Sequence, residues 1–504
     1  GIGVTVIIDG ISSASTLQLN IQSGNSTTIV TGFTFDANSV AKSGTNGEIE
    51  VVGGGLNSFR IHHNRFANLR SRGMVTTAGG AAVSGLIDHN TIEAPGSFSV
   101  QGLTMFAADG GDNTQFTRAY VPGGADYIFI EDNTFNYAMV NDGVLTGNGG
   151  ARYVFRHNTV INTNISHHGA DSGGRRGVLS AEIYRNTFQN SVGNLDMGFF
   201  RSGVLVMFEN VYTGSYNRVI ALANYRSCTV QNSFWASTGG GTGMCDGSNA
   251  WDQNTGGSEG WRCLDQVGSL FGAAMGSGAT AKPAYFWDNT EDGVEVGATR
   301  TTGSPHNCTR YNTLHMLEGR DFYNYTASFN GTVGMGRGLL SARPATCTPE
   351  VSYFATDTDT LYKCTATNTW TLHYTPHTYP HPLQGAGGAG AIATLSQSAV
   401  TFINTPPGAS TLVNISLTNT GDALLTINSI SINSTTPQIF TQTSDCGATL
   451  AVSTTCIISI TFVPNTAGAM AQHTLTVDSS TNDPTATLNG AGITVPPAPR
   501  SGAN

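Results

Sequence analysis

The chain has 504 residues, with 23 Lys or Arg against 33 Asp or Glu, so charged residues make up 11% and the formal net charge is −10. An ordinary soluble domain carries about 25% charged residues. The acidic balance excludes a duplex-binding protein, which needs a basic footprint. An apolar content of 39% excludes a disordered polyampholyte, and no run reaches the roughly 20 apolar residues of a membrane span.

Gly, at 63 residues, is roughly twice its usual share, and the class this predicts is all-β. In chain order, GVTVIIDG (3–10) and TIVTGFTFDAN (28–38) read as strands. Seven segments then share one pattern, apolar-x-x-Asn-x-apolar: FRIHHNRF, GLIDHNTI, IFIEDNTF, YVFRHNTV, AEIYRNTF, LVMFENVY and CTVQNSFW. Their Asn residues are Asn64, Asn90, Asn133, Asn158, Asn186, Asn210 and Asn232. Apolar residues at period two point inward from short strands. Asn tolerates the left-handed turn conformation, and at roughly 4.8 Å per stacked strand one Asn can bond the next. The repeat therefore predicts a right-handed parallel β-helix over residues 1–383, with a long excursion after Asn90 and irregular inserts from about 236. AYFWDNT (284–290) repeats the signature. The chain opens inside strand-like sequence without a signal peptide, which reads as a processed or truncated chain whose first rung needs a cover.

HYTPHTYPHPL (373–383) reads as a proline-fixed exit, followed by a Gly/Ala linker over 384–391. Alternating runs over 392–495, such as TLVNISLTN and CIISITFVP, predict an immunoglobulin-like β-sandwich, with a tail at 496–504. Neither Lys nor Arg lies between Lys363 and Arg500.

The eight Cys show no zinc spacing. Three local pairs bracket short loops: Cys446 with Cys456, Cys347 with Cys364, and Cys245 with Cys263. Chain order leaves Cys228 to pair with Cys308. Disulfides imply an oxidising, secreted or cell-surface location.

The rung pattern resembles the pectate-lyase-like right-handed parallel β-helix superfamily over about 1–380. Within it, LIDHNTI (86–92) is similar to the Asp-His element whose Asp helps bind calcium in true pectate lyases. The Arg-containing lyase motif and the paired Asp motifs of polygalacturonases have no counterpart, although His168-Gly169 is present. The segment SDCGATLAVSTTCIISITFVPNTAG (444–468) resembles bacterial immunoglobulin-like modules of the ASPM–SPD-2–Hydin type, which implies a structural or adhesive accessory.

Two groups of residues are candidates for chemistry. The column two residues before each ladder Asn, namely His62, Asp88, Glu131, Arg156 and Tyr184, is expected to face solvent and line a glycan groove; a ladder of compensating surface charges is the alternative. The connection NISHHGADSGGRR (164–176) gathers His167, His168, Asp171, Arg175 and Arg176, with Asp142, Arg152 and Arg201 on nearby rungs. Lyases need a cation and a base, which His168, Asp171 and Arg175 could supply as the catalytic set. Hydrolases need two carboxylates, for which Asp142 and Asp171 are the pair. The remaining residues are expected to bind carbohydrate. Glu131 and Asp132 offer oxygen ligands for Ca2+, and no other cofactor is implied. No nucleotide or zinc-protease motif is present. The expected function is polysaccharide binding, with or without cleavage. The alternative is a non-catalytic subunit of an extracellular fibre, sheath or matrix whose partners are other copies of itself.

Overall fold

A computed structural model describes residues 5–494 except 9–10, 22–26, 44–45, 78–82, 96–100, 107–113, 139–142, 170–175, 224–264, 271–279, 301–315, 386–390, 422–423, 434–437, 453 and 482. The protein is all-β and divides into two compact units, Gly1–Thr378 and Tyr379–Asn504.

The first unit is built from stacked parallel strands in the manner of a β-helix. One face is a nine-stranded sheet: Thr28–Thr31, Gly55–His62, Val83–Asp88, Ile128–Glu131, Arg152–Arg156, Ser180–Tyr184, Val204–Phe208, Ala284–Trp287 and Phe322–Asn324. The segments after the ladder Asn residues form a second face, including Arg65–Ala67, Thr91–Ala94, Thr134–Tyr137 and Thr159–Ile161. A third face holds Ile49–Gly53, Arg72–Thr77, Gln101–Phe106, Leu145–Asn148 and Ile165–His167. The long strand Thr187–Phe200 pairs with both of these faces, and Val211–Leu222 stacks on it along its length, so the two faces merge into one 17-stranded sheet.

Register explains the core. Ile61, Ile87, Ile130, Phe155, Ile183, Met207 and Phe286 are Cα partners in consecutive strands and are all buried. Phe35, Phe66, Ile92, Phe135, Val160, Phe188 and Tyr212 form a second inward column. Each such residue sits on its equivalent one rung away, so a single sequence period fills the whole core.

The asparagines form the expected ladder, with two corrections. Each Nδ2 donates to the next Oδ1, as in Asn64 to Asn90 (3.1 Å), Asn90 to Asn133 (3.0 Å) and Asn133 to Asn158 (3.1 Å). After Asn210 the next member is Asn289, at 2.8 Å. The ladder thus passes from Asn210 to Asn289, and Asn232, expected as its seventh member, lies outside the described residues. Nor does Asn take the left-handed turn. That conformation falls on the preceding residue: His63, His89, Asp132, His157, Arg185, Glu209 and Asp288 have φ between 52° and 59°. Turning one residue early aims the Asn side chain inward, where its amide satisfies backbone groups.

A four-stranded sheet, Met335–Gly338, Ser352–Ala355, Thr360–Ala366 and Thr369–Tyr374, completes the unit. Its Phe354 ring packs on Trp287 (4.8 Å) and Phe208 (5.6 Å). These two rings point outward from the nine-stranded sheet, in the register column of Tyr184. The small sheet therefore covers the outer surface of the large one. The Cys347–Cys364 disulfide joins its strands to the preceding loop.

The second unit has a four-stranded antiparallel sheet (Ala393–Leu395, Thr411–Asn419, Thr455–Phe462, Phe440–Ser444) and a five-stranded one (Ala399–Thr401, Thr485–Asn489, His473–Ser479, Leu425–Ile432, Thr449–Leu450). Alternate residues of both, including Leu417, Ile458, Phe462, Leu475 and Leu488, share one buried core. Cys446 and Cys456 form the second disulfide.

Two of the four expected disulfides are therefore present among the described residues. The other two, Cys245 with Cys263 and Cys228 with Cys308, are not among them. Cys228, Cys245, Cys263 and Cys308 all lie outside the described residues, as does most of the 384–391 linker.

Candidate functional site

The column expected to face solvent is buried instead: His62, Asp88, Glu131, Arg156 and Tyr184 are 0% exposed. Charges removed from water must be paired, and these are. Arg60 grips both carboxylate oxygens of Asp88, at 2.9 and 2.8 Å, and His89 adds a contact at 3.0 Å. Burial opposes ionisation of Asp88, but the bonds to Arg60 and His89 outweigh it and hold its pKa below the usual carboxylate value. His62 Nδ1 lies 2.8 Å from His63 Nδ1 and 3.3 Å from Thr31 Oγ1.

Arg156 is the hub of the next rungs. Its Nε donates to Glu131 at 2.6 Å, and one terminal nitrogen donates to the Tyr184 hydroxyl at 2.9 Å. The two terminal nitrogens also donate to the carbonyl oxygens of His377 (2.6 Å) and Thr378 (2.8 Å). The covering element is thus the end of the same unit: after Tyr374 the chain runs as a strap over the outer face of the large sheet. Beside Arg156, Glu182 is fully buried and accepts from the Gly123 N–H (2.7 Å) and the Tyr374 hydroxyl (2.9 Å). Burial pushes its pKa up to about 7 against these two bonds and the nearby Arg156 charge. Sequence reasoning passed over Glu182. The available signal was an acid set in the register column between the apolar neighbours Phe129, Val154 and Val206.

The 164–176 connection is only partly described, with Asp171 and Arg175 outside the described residues, as is Asp142. His168 is half-buried, and its Nδ1 faces an Arg201 terminal nitrogen. Burial, then Arg201, lowers its pKa to about 3, so it is a weak base. Arg201 Nε donates to the His167 carbonyl at 3.0 Å. His167 is fully buried between the Tyr153 hydroxyl and the Ser202 carbonyl.

Arg152 donates to the carbonyls of Gln115, Arg118 and Ala119, which closes the short helix Thr114–Thr117 of the excursion. Arg176 makes a bidentate pair with Asp265, at 3.0 and 2.6 Å, with both residues buried. Removing one partner of such a pair strands a buried charge. Asp265→Ala is expected to lower unfolding free energy by about 3–5 kcal/mol, while Arg176→Met in the same chain recovers most of the loss. Urea denaturation checks both values, and a loss below about 1 kcal/mol would show the pair to be energetically superficial.

An open groove of about 520 Å3 lies on the second face, lined by Arg65, Asn68, Glu93, Asn136, Tyr137 and Asn162 among others. Arg65 and Glu93 pair at 2.7 Å while their side chains stay 56% and 29% exposed. Asn68 donates to Asp36 at 2.9 Å, and Asn136 is exposed. A second cleft of about 360 Å3 is lined by Glu295, Glu318, Asn324 and Tyr325 among others. Glu131 and Asp132 diverge, the first inward to Arg156 and the second on the left-handed turn. Among the described residues, the only three His, Cys, Asp or Glu ligand atoms within 4.8 Å of one another belong to Asp445, Cys446 and Cys456, whose sulfurs are bonded to each other.

No family model and no curated protein matches the chain. Among solved structures, the ASH/PapD-like domain of human CEP192 is 17% identical, with a TM-score of 0.20, over 24% of this chain and 100% of that one. VesB protease of Vibrio cholerae is 17% identical, with a TM-score of 0.17, over 20% of this chain and 32% of that one. A protein of unknown function from Porphyromonas gingivalis W83 is 9% identical, with a TM-score of 0.18, over 26% of this chain and 62% of that one. The chain spans about a third of VesB, and likenesses of this size carry no functional argument. What the fold defines is an all-β protein with a parallel-stranded, β-helix-like unit and an antiparallel unit. Among the described residues no helix is long and apolar enough to cross a membrane.

Proposed function

We propose that the protein is secreted or displayed at a cell surface and binds a polysaccharide along its β-helix-like unit. Its C-terminal unit then serves as an immunoglobulin-like accessory. The observation that carries this reading is the open groove beside Arg65 and Glu93. At about 520 Å3 it offers a guanidinium, a carboxylate and amides that can bond sugar hydroxyls. Disulfides in both units suit an oxidising compartment. Binding is favoured over cleavage because His168, the described member of the expected catalytic set, is a weak base held against Arg201.

Affinity gel electrophoresis against soluble neutral and uronate polysaccharides tests the reading. At least one polysaccharide should retard the wild-type protein, and Arg65→Ala with Glu93→Ala should weaken that binding about tenfold, the scale of one or two lost hydrogen bonds. The reading as a fibre or matrix subunit is favoured by the internal pairing of Asp88, Glu131, Arg156 and Arg176. Ordered filaments in electron micrographs, with no retardation by any polysaccharide, would put that reading first.

A further inference from the structure

A second binding surface lies under the strap. Beneath Tyr374–Thr378, the outer face of the large sheet presents Phe129, Glu131, Arg156, Glu182 and Tyr184, a row both aromatic and charged. The strap touches this row in three ways. The His377 ring packs on Phe129 with centroids 4.7 Å apart. The His377 and Thr378 carbonyl oxygens accept from Arg156 at 2.6 and 2.8 Å. The Tyr374 hydroxyl donates to Glu182 at 2.9 Å. A ring against an aromatic face, neutral oxygens on a guanidinium and a hydroxyl donated to a carboxylate are also the three contacts a pyranose makes with a protein.

We propose that this row is a closed groove for a neutral, hydroxyl-rich polysaccharide, and that residues 374–378 occupy it as an internal stand-in which the glycan displaces. The proposal rests on the carbohydrate-binding reading above but concerns a different face. Neutral glycan is the class that fits. The Arg156 charge is already balanced by Glu131 at 2.6 Å, and both strap groups it binds are uncharged carbonyls. A uronate would bring an extra negative charge beside Glu131 and Glu182.

The strap is seated by close approach as well as by bonds. Gly123 has φ +72°, and a Cβ added there would lie 2.0 Å from the Thr375 carbonyl oxygen. The strap side chains themselves are half-buried or exposed at Thr375, Pro376, His377 and Thr378, so lifting the strap uncovers the row without opening the apolar core. Only Tyr374 is buried, and it anchors the end that continues into the small sheet.

Two independent variants of the full chain loosen the strap. Tyr374→Phe with His377→Gly removes its hydroxyl and ring contacts, whereas Gly123→Ala pushes it away from the other side. Hydroxyethylcellulose, dextran, galactomannan and xyloglucan are the probes, in affinity gel electrophoresis. At least one should bind both loosened variants tenfold or more tightly than wild type. Phe129→Leu, added to either variant, should cancel the gain by removing the ring face while keeping apolar volume. Hydrogen exchange at 374–378 should also rise when wild type is saturated with that polysaccharide. Folded loosened variants that bind no probe more tightly than wild type, or a gain that survives Phe129→Leu, would overturn the proposal. The outcomes separate the two sites. Wild-type binding lost in Arg65→Ala/Glu93→Ala with no strap effect removes only the closed groove. A gain in the loosened variants with no wild-type binding removes only the open one.

Discussion

Asn158→Ala is expected to destabilise the first unit by about 3–5 kcal/mol, a loss in the class produced by breaking a buried hydrogen-bond network. Asn158 Oδ1 accepts from the Asn133 backbone N–H at 3.0 Å and from Asn133 Nδ2 at 3.1 Å. Its own Nδ2 donates to the Ile130 and Arg156 carbonyls, both at 2.9 Å, and to Asn186 Oδ1 at 3.1 Å. Ala leaves the Asn133 N–H without its acceptor in a site that is 1% exposed, and interrupts a chain of side-chain bonds running from Asn64 to Asn289. Thr159→Ala, one residue later on the half-buried outward side, should cost about 0.5 kcal/mol or less. Urea unfolding of the two variants against wild type decides the matter. A loss below about 1 kcal/mol at Asn158 would mean that the ladder is tolerated rather than stabilising.

The ladder was legible in the sequence because its pattern is also its physics: one Asn per turn, mostly 24 to 28 residues apart with longer intervals only before Asn133 and Asn289, can stack only if the turns stack. Residue-type preference misled at the turn itself. Asn visits the left-handed region more readily than most residues, yet His63, His89, His157 and Arg185 take it here, because the Asn side chain is needed inside. The continuation from Asn210 to Asn289 was visible as the repeated signature AYFWDNT, and CTVQNSFW lies outside the described residues.

Alternation also placed His62, Asp88, Glu131 and Arg156 correctly on the outer side of their strands. What alternation cannot say is what lands on that side. The contact that buries Arg156 comes from His377, 221 residues later, and no local pattern encodes a pairing at that distance. The charged column was therefore read as a surface when it is an internal layer. The proline-fixed segment 373–383 was read as an exit, and its first residues also serve as the cover. Arg152 and Arg176 were legible as cations near the connection but not as the partners of a helix end and of Asp265, for the same reason.

Acidification should destabilise the first unit steeply between pH 6.5 and about 4. Four histidines are held neutral there: burial is the first cause for each, and it lowers the pKa of His157, His167 and His373 to about 4 and that of His168 to about 3. Nearby positive charges add to it, Arg156 and Arg185 at His157, Arg201 at His167 and His168, and Lys363 and Lys282 at His373. A group whose folded pKa is depressed contributes stability that is complete above its unfolded value of 6.5 and lost as pH falls toward the folded value. For the fully buried His167 the loss is on the order of 3 kcal/mol across the window, because each tenfold change in proton affinity is worth about 1.4 kcal/mol. The structural reason is that protonation would put a hydrogen on the nitrogen facing the Tyr153 hydroxyl, because the other nitrogen already donates to the Ser202 carbonyl. Glu182 acts in the opposite sense. Its pKa is raised from 4.5 to about 7, so its stabilising contribution is complete below 4.5 and is lost as pH rises through 7. Falling pH therefore recruits favourable protons at Glu182, Glu295 and His89, whose pKa values are raised, and unfavourable ones on these four histidines and on His377, whose pKa is also lowered. The four deep downward shifts outweigh the rest. Melting temperatures at pH 7.5, 6.5, 5.5 and 4.5 should fall by several degrees in total. His167→Gln, which cannot charge, should make the decline shallower, and Glu182→Gln should make it steeper by removing the opposing titration. A decline that Glu182→Gln makes shallower would show that the buried carboxyl does not hold its proton in the folded unit, and a flat profile in Glu182→Gln would show that the histidines are not held neutral.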